Sequence, residues 1–186
     1  MILSQEQIIE NCKNKDSKSQ SLLYKQYAPF LYGISLRYTK NEDDAKDVLQ
    51  EAFIRIFEYI EQYKGIGSIQ GWMTRIVINQ ALKLYQENSK KPVLESFDDY
   101  QEIIVDSSVV ESDRIGHKIL LGFIRDLPHG YRTVFNLCEI EGYSYDEVAK
   151  IMNCTPSTCR SQLFKAKNAL RKKVNEFNES ENKIKR

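Results

Sequence analysis

The side chains best suited to chemistry crowd between Thr155 and Lys173, and what they offer is recognition of a polyanion. At helical spacing Ser157, Arg160, Ser161, Phe164, Asn168 and Arg171 share one face, with Lys165, Lys167 and Lys172 on its flanks. Guanidinium and ammonium groups pair with phosphate oxygens, while short hydroxyls and amides reach base edges. Phe164 offers a ring to a thymine methyl or a sugar. The opposite face carries Cys159, Leu163, Ala166 and Leu170, an apolar stripe for a core. Catalysis needs other groupings. His117 and His129 stand in unrelated contexts, and there is no Gly-rich phosphate loop, Ser-His-Asp set or metal-ligand spacing. We expect no catalytic residues, no cofactor and no metal.

Cys12, Cys138, Cys154 and Cys159 show no CxxC pairing and no framework spacing. Free thiols in a reducing cytoplasm are the expectation; the alternative, a zinc site, lacks nearby histidines. Cys154 and Cys159 flank the expected helix start.

The basic face needs elements that present it, and the preceding residues supply them. Ser144 and Glu147 have the spacing of a capping box, in which the hydroxyl accepts a backbone N–H and the carboxylate reaches back. Val148, Ala149 and Met152 give that short helix an apolar face, and Asn153 and Cys154 make a tight turn. Thr155-Pro156 then starts the next helix, with Thr as cap and Pro where a missing N–H costs nothing. Two short helices meeting through such a turn form a DNA-binding helix-turn-helix.

The rest of the chain is also helical in pattern. Of 186 residues, 41% are hydrophobic and 28% charged, with only 8 Gly and 4 Pro. That composition predicts an all-α fold of two small helical domains. Helices are expected near Ser4–Lys13, Leu22–Thr39, Asp43–Gln62 and Ile69–Asn88. The third has the cleanest period: Ala45, Val48, Leu49, Ala52, Phe53, Ile56 and Ile60 form one stripe, leaving Asp47, Gln50, Glu51 and Glu58 on or near the exposed side. Gly65-Ile66-Gly67-Ser68 breaks the pattern before the fourth helix, which carries Trp72, Ile76, Ile78, Ala81, Leu82 and Tyr85.

Charge divides the chain in the same places. Residues 1–92 carry 13 basic and 11 acidic groups, 93–113 carry seven acidic and no basic groups, and 114–186 carry 14 basic and eight acidic. The net charge of +1 thus conceals a basic C-terminal module, and phosphates respond to the local field. We read 1–92 as one domain, 93–113 as a flexible acidic linker, 114–178 as the helix-turn-helix domain and 179–186 as a polar tail. No apolar run reaches about 18 residues, so no membrane insertion is expected. The N-terminus lacks a secretory pattern, which points to the cytoplasm.

Two stretches resemble a known family. LPHGYRTVFNLCEIEGYSYDEVAKIMNCTPSTCRSQLFKAKNALRKKV, from Leu127 to Val174, resembles region four of the extracytoplasmic-function (ECF) sigma factors of bacterial RNA polymerase. LLYKQYAPFLYGISLRYTKNEDDAKDVLQEAFIRIFEYIEQY, followed by GSIQGWMTRIVINQAL, resembles their region two. The resemblance implies a non-catalytic subunit that binds RNA polymerase core and directs promoter recognition, melting and initiation. Its partners would be core polymerase, through the largest-subunit coiled coil and the flap, and promoter DNA; an anti-sigma factor is a further candidate. Asp47, Gln50 and Glu51 match the family's polar core-docking positions. The segment from Tyr63 to Lys83 matches its minus-ten and melting segment, with Gly65–Gln70 as a base pocket and Gly67, Ser68, Trp72, Arg75, Asn79 and Lys83 as strand contacts. Trp72 is chemically a stacking platform, but Ile76 one turn later places it mainly in the core. In region four, Arg160, Ser161, Phe164 and Lys165 match minus-thirty-five contacts, extended by Ser157, Asn168 and Arg171 on the same face. Gln162 stands where the family often has a basic residue, and Pro156 with Cys159 are less usual, which leaves the promoter sequence open. The rival reading is a stand-alone helix-turn-helix regulator with an N-terminal interaction domain.

Overall fold

A computed structural model describes residues 3–89 and 114–184, and these fall into two compact units. The acidic stretch 93–113, expected as a linker, and the side chain of Tyr85 lie outside the described residues. No strand occurs among those described, and none of their helices is long and apolar enough to cross a membrane.

The first unit is built from α1 (Gln5–Lys13), α2 (Ser17–Tyr38), α3 (Glu42–Tyr59) and α4 (Ile69–Ser89), with a 3-10 turn at Ile60–Gln62. Each start is fixed locally. The Ser4 hydroxyl accepts from Gln7 N–H while the Gln7 side chain accepts from Ser4 N–H at 2.9 Å, a capping box at α1. Asp16 caps α2 by accepting from Ser19 N–H at 2.8 Å, so the helix begins five residues before the apolar period that announces it. Asn41 caps α3, whose first turn holds Glu42, Asp43 and Asp44 against the positive end of the helix dipole.

Helices α2, α3 and α4 pack against one another in all three pairs, and α1 lies on α2. The stripe expected on α3 is buried at every position from Ala45 to Ile60. The buried side chains Leu23, Leu31 and Ile34 come from α2, and Ile69, Met73, Ile76 and Val77 from α4. Because α4 packs against two neighbours, its buried surface is wider than one stripe and takes in Ile78, Ala81 and Leu82 as well.

The second unit contains α5 (Arg114–Arg125), α6 (His129–Phe135) continuing into a π-type turn at Asn136–Ile140, α7 (Tyr145–Met152) and α8 (Pro156–Ile184). Both α6 and α7 pack on α8, over a core of Leu127, Val134, Leu137, Val148, Ala149, Cys159, Leu163 and Ala166. The segment expected as a polar tail continues α8 as far as Ile184. Phe123 of α5 meets Phe177 of α8 edge-on at 6.2 Å, and Lys173 reaches Asp126 at 2.6 Å, which extends the unit along that helix.

Burial sets the expected response to truncation. Ile56→Ala removes a wholly buried side chain and should destabilise the first unit by about 2–5 kcal/mol. Ile54→Ala, at a position 44% exposed, should change stability by only about 0.5 kcal/mol. Urea denaturation followed by circular dichroism distinguishes the two.

Candidate nucleic-acid interface

The junction between α7 and α8 decides which side chains face outward, and backbone chemistry fixes that junction. At its start, Ser144 N–H donates to a Glu147 carboxylate oxygen at 2.7 Å while the Ser144 hydroxyl accepts from Glu147 N–H at 3.3 Å, as the capping box requires. The Ser144 hydroxyl, donating to the same carboxylate at 2.6 Å, and the Ser144 N–H together hold the Glu147 carboxyl below its ordinary range. At its end, Asn153 turns into the left-handed region at φ 49° and ψ 53°. Its N–H reaches the Lys150 carbonyl, and Cys154 N–H reaches the Ala149 carbonyl at 2.9 Å, the two bonds of a Schellman closure. The Thr155 hydroxyl then accepts from Thr158 N–H at 3.1 Å, and Pro156 opens α8.

With α8 so anchored, its faces sort sharply. Cys159, Leu163 and Ala166 are buried, and Leu170 is only half-buried as the core thins. Ser157, Arg160, Ser161, Phe164, Lys165, Asn168 and Arg171 are all exposed, and Phe164 shows 66% of its surface. Arg171 donates to the Asn168 amide oxygen at 3.0 Å. Two features were not readable from the local pattern. The Arg160 guanidinium lies over the Tyr145 ring, 5.2 Å from its centroid, so α7 orients a cation of α8. Lys167, expected as a flanking cation, is held by Glu139 at 2.8 Å.

The first unit presents two further groups of side chains. Asp47, Gln50 and Glu51 are exposed on α3, opposite its buried stripe. Glu58 is paired with Arg55 at 2.9 Å. Ahead of α4, Gly65 and Gly67 both take positive φ, 76° and 71°, which explains glycine at each. The Tyr63 hydroxyl donates to the Gly67 carbonyl at 2.8 Å, and the Ser68 hydroxyl caps α4 by accepting from Gly71 N–H at 3.0 Å. Held at both ends, the loop exposes Ile66 at 72%.

Trp72 is partly buried and leans on Tyr63, ring centroids 5.6 Å apart, while Met73 beside it is wholly buried. Trp72, Arg75, Asn79 and Lys83 recur at steps that share one side of α4, and each is at least partly exposed. Tyr63, in ring contact with Trp72, belongs to the same surface; only the Tyr63-x-x-x-Gly67 spacing hinted at the pinned loop.

Residues 23–91 match the family Sigma-70 region 2, and residues 117–170 match the family Sigma-70, region 4. The chain is 29% identical over 182 residues to the ECF RNA polymerase sigma-E factor of Haemophilus influenzae, covering 92% of this chain and 96% of that protein. The chain belongs to the ECF sigma factors. The ECF sigma-E factor of Escherichia coli K12 is similar at 28% identity over 183 residues, covering 92% and 95% of the two chains. Among solved structures, the sigma factor RpoE of Bartonella quintana, crystallised with the anti-sigma factor NepR, shares the fold. Its TM-score is 0.52 at 16% identity, over 83% of this chain and 96% of that one. Region two of this sigma factor thus contains the Tyr63–Trp72 loop and the α3 carboxylates, and region four contains the helix-turn-helix.

The left-handed turn makes a quantitative demand on its residue. Asn153→Ala should cost about 1–2 kcal/mol of stability in the second unit. Asn153→Gly should stay within about 0.5 kcal/mol, since glycine enters that region without a steric penalty. Thermal denaturation of the two variants measures the difference.

Proposed function

We propose that this ECF sigma factor divides its work between the two helical units, with 1–92 serving core docking and minus-ten melting and 114–178 serving minus-thirty-five recognition. The observation that carries this reading is the exposed face of α8, where seven polar, basic and aromatic side chains stand opposite a buried stripe. Such a face suits the major groove. Arg160 and Arg171 offer forks to guanine edges or phosphates, Ser157, Ser161 and Asn168 offer short polar contacts, Lys165 adds a phosphate contact, and Phe164 meets a thymine methyl.

In the first unit, Asp47, Gln50 and Glu51 form the docking surface for core polymerase, where carboxylates meet a basic helical surface and steer the encounter. The pinned loop containing Gly67 and Ser68 captures an unstacked base, Trp72 with Tyr63 provides the stacking surface, and Arg75, Asn79 and Lys83 follow the strand. The subunit acts in the cytoplasm and contributes address and melting, while core polymerase supplies catalysis. The NepR complex of the Bartonella protein supports an anti-sigma factor as a further partner here.

Run-off transcription with core polymerase on genomic fragments tests the reading, since it requires the added chain to start transcripts at defined sites. Arg160→Ala should weaken upstream-element binding by about 1–3 kcal/mol, and Tyr145→Leu by about 0.5–1 kcal/mol. If Tyr145 acts by orienting Arg160, the second substitution adds little in the Arg160→Ala background, while Tyr145→Phe keeps binding intact. The pair Asp47→Ala and Gln50→Ala should raise the Kd for core about tenfold, roughly 1.4 kcal/mol, without lowering the melting temperature. Normal transcription by all these variants would overturn the residue assignments.

A further inference from the structure

The turn that orients α8 also brings two thiols together. Cys154 follows the left-handed Asn153, and Cys159 lies on the first turns of α8, beyond the Thr155 cap. Their Sγ atoms are 3.4 Å apart. A disulfide needs about 2.0 Å between sulfurs, so little more than an ångström separates this contact from a bond. The two thiols differ in access. Cys159 is wholly buried, whereas Cys154 is half-buried and so partly open to solvent. Burial, reinforced by the Cys154 thiol, pushes Cys159 up to about 12, which keeps it protonated and slow to react with any external reagent.

We infer that Cys154 and Cys159 are an oxidisable dithiol, converted by a small disulfide oxidant such as oxidised glutathione into an intramolecular disulfide that staples the turn to α8. Reaction begins at the accessible member. The Cys154 thiolate attacks one glutathione sulfur, the glutathione S–S bond breaks, and one reduced glutathione leaves with a proton. Cys159 then gives up its proton and attacks the Cys154 sulfur of the mixed disulfide, releasing the second glutathione. Two protein thiols lose two electrons in all, and one glutathione disulfide becomes two thiols. High pKa makes Cys159 a poor first nucleophile, but its fixed position beside Cys154 makes the closing step intramolecular. Cys138, half-buried in the π-type turn, is the competing thiol within the same unit, and its own burial pushes its pKa up.

The sequence makes the test direct. Cys154 and Cys159 both lie in the tryptic peptide Ile151–Arg160, while Cys138 lies in Thr133–Lys150. The full reduced chain is treated with oxidised glutathione, alkylated with iodoacetamide under denaturing conditions, digested and weighed. The expected product is peptide 151–160 two hydrogens lighter and unalkylated, restored to the doubly alkylated form by dithiothreitol, with Cys138 still alkylated. Cys138→Ser should leave this outcome unchanged, and Cys154→Ser should abolish it. Three results would overturn the inference: a lasting glutathione adduct on Cys154, a cross-link between the two peptides, or full alkylation of Cys154 and Cys159 under conditions that oxidise a free dithiol.

Discussion

The backbone closure between Ala149 and Thr158 is the constraint on which region four depends. Helix ends leave N–H and carbonyl groups without internal partners, and two ends a few residues apart leave many at once. Here the Lys150 and Ala149 carbonyls receive Asn153 and Cys154, and the Thr155 hydroxyl takes the Thr158 N–H. Pro156 brings no donor that would need a partner. With those groups satisfied, the direction of α8 is set, and its buried stripe follows. The exposed face is therefore a consequence of the turn, and each side chain on it inherits its position from the satisfied backbone.

Region two relies on a comparable device in a different place. The loop before α4 needs glycine at 65 and 67 for its positive φ angles, and freedom of that kind must be taken away for the loop to present anything. Tyr63 does this from one side by donating to Gly67, and Ser68 from the other by capping α4. Burial pushes the Tyr63 phenol above its ordinary range, so it remains a donor throughout the working pH range. In both regions side-chain hydrogen bonds hold in one form the turn that leads into a helix with an exposed polar face.

What could be read from the sequence was what is encoded locally. The capping box at Ser144, the Thr155-Pro156 start and the α3 stripe each depend on residues within a turn or two, and the structure has all of them. The early start of α2 escaped because Asp16 sits ahead of the apolar period. Met73 and Val77 escaped because α4 packs against both α2 and α3, which buries them beside Ile76 and widens the covered surface beyond one stripe. The Tyr145–Arg160 contact, the Lys167–Glu139 pair and the approach of Cys154 to Cys159 all depend on how elements meet, which no periodicity encodes.

Each unit offers DNA only a small surface, so binding should become specific when core polymerase holds both and the second contact gains from effective concentration. The direct measurement is promoter affinity for the free chain and for its complex with core, across a salt titration. The account predicts weak, salt-sensitive and sequence-indifferent binding by the free chain, and tight, selective binding by the complex. Equal affinity and selectivity in the two forms would contradict it.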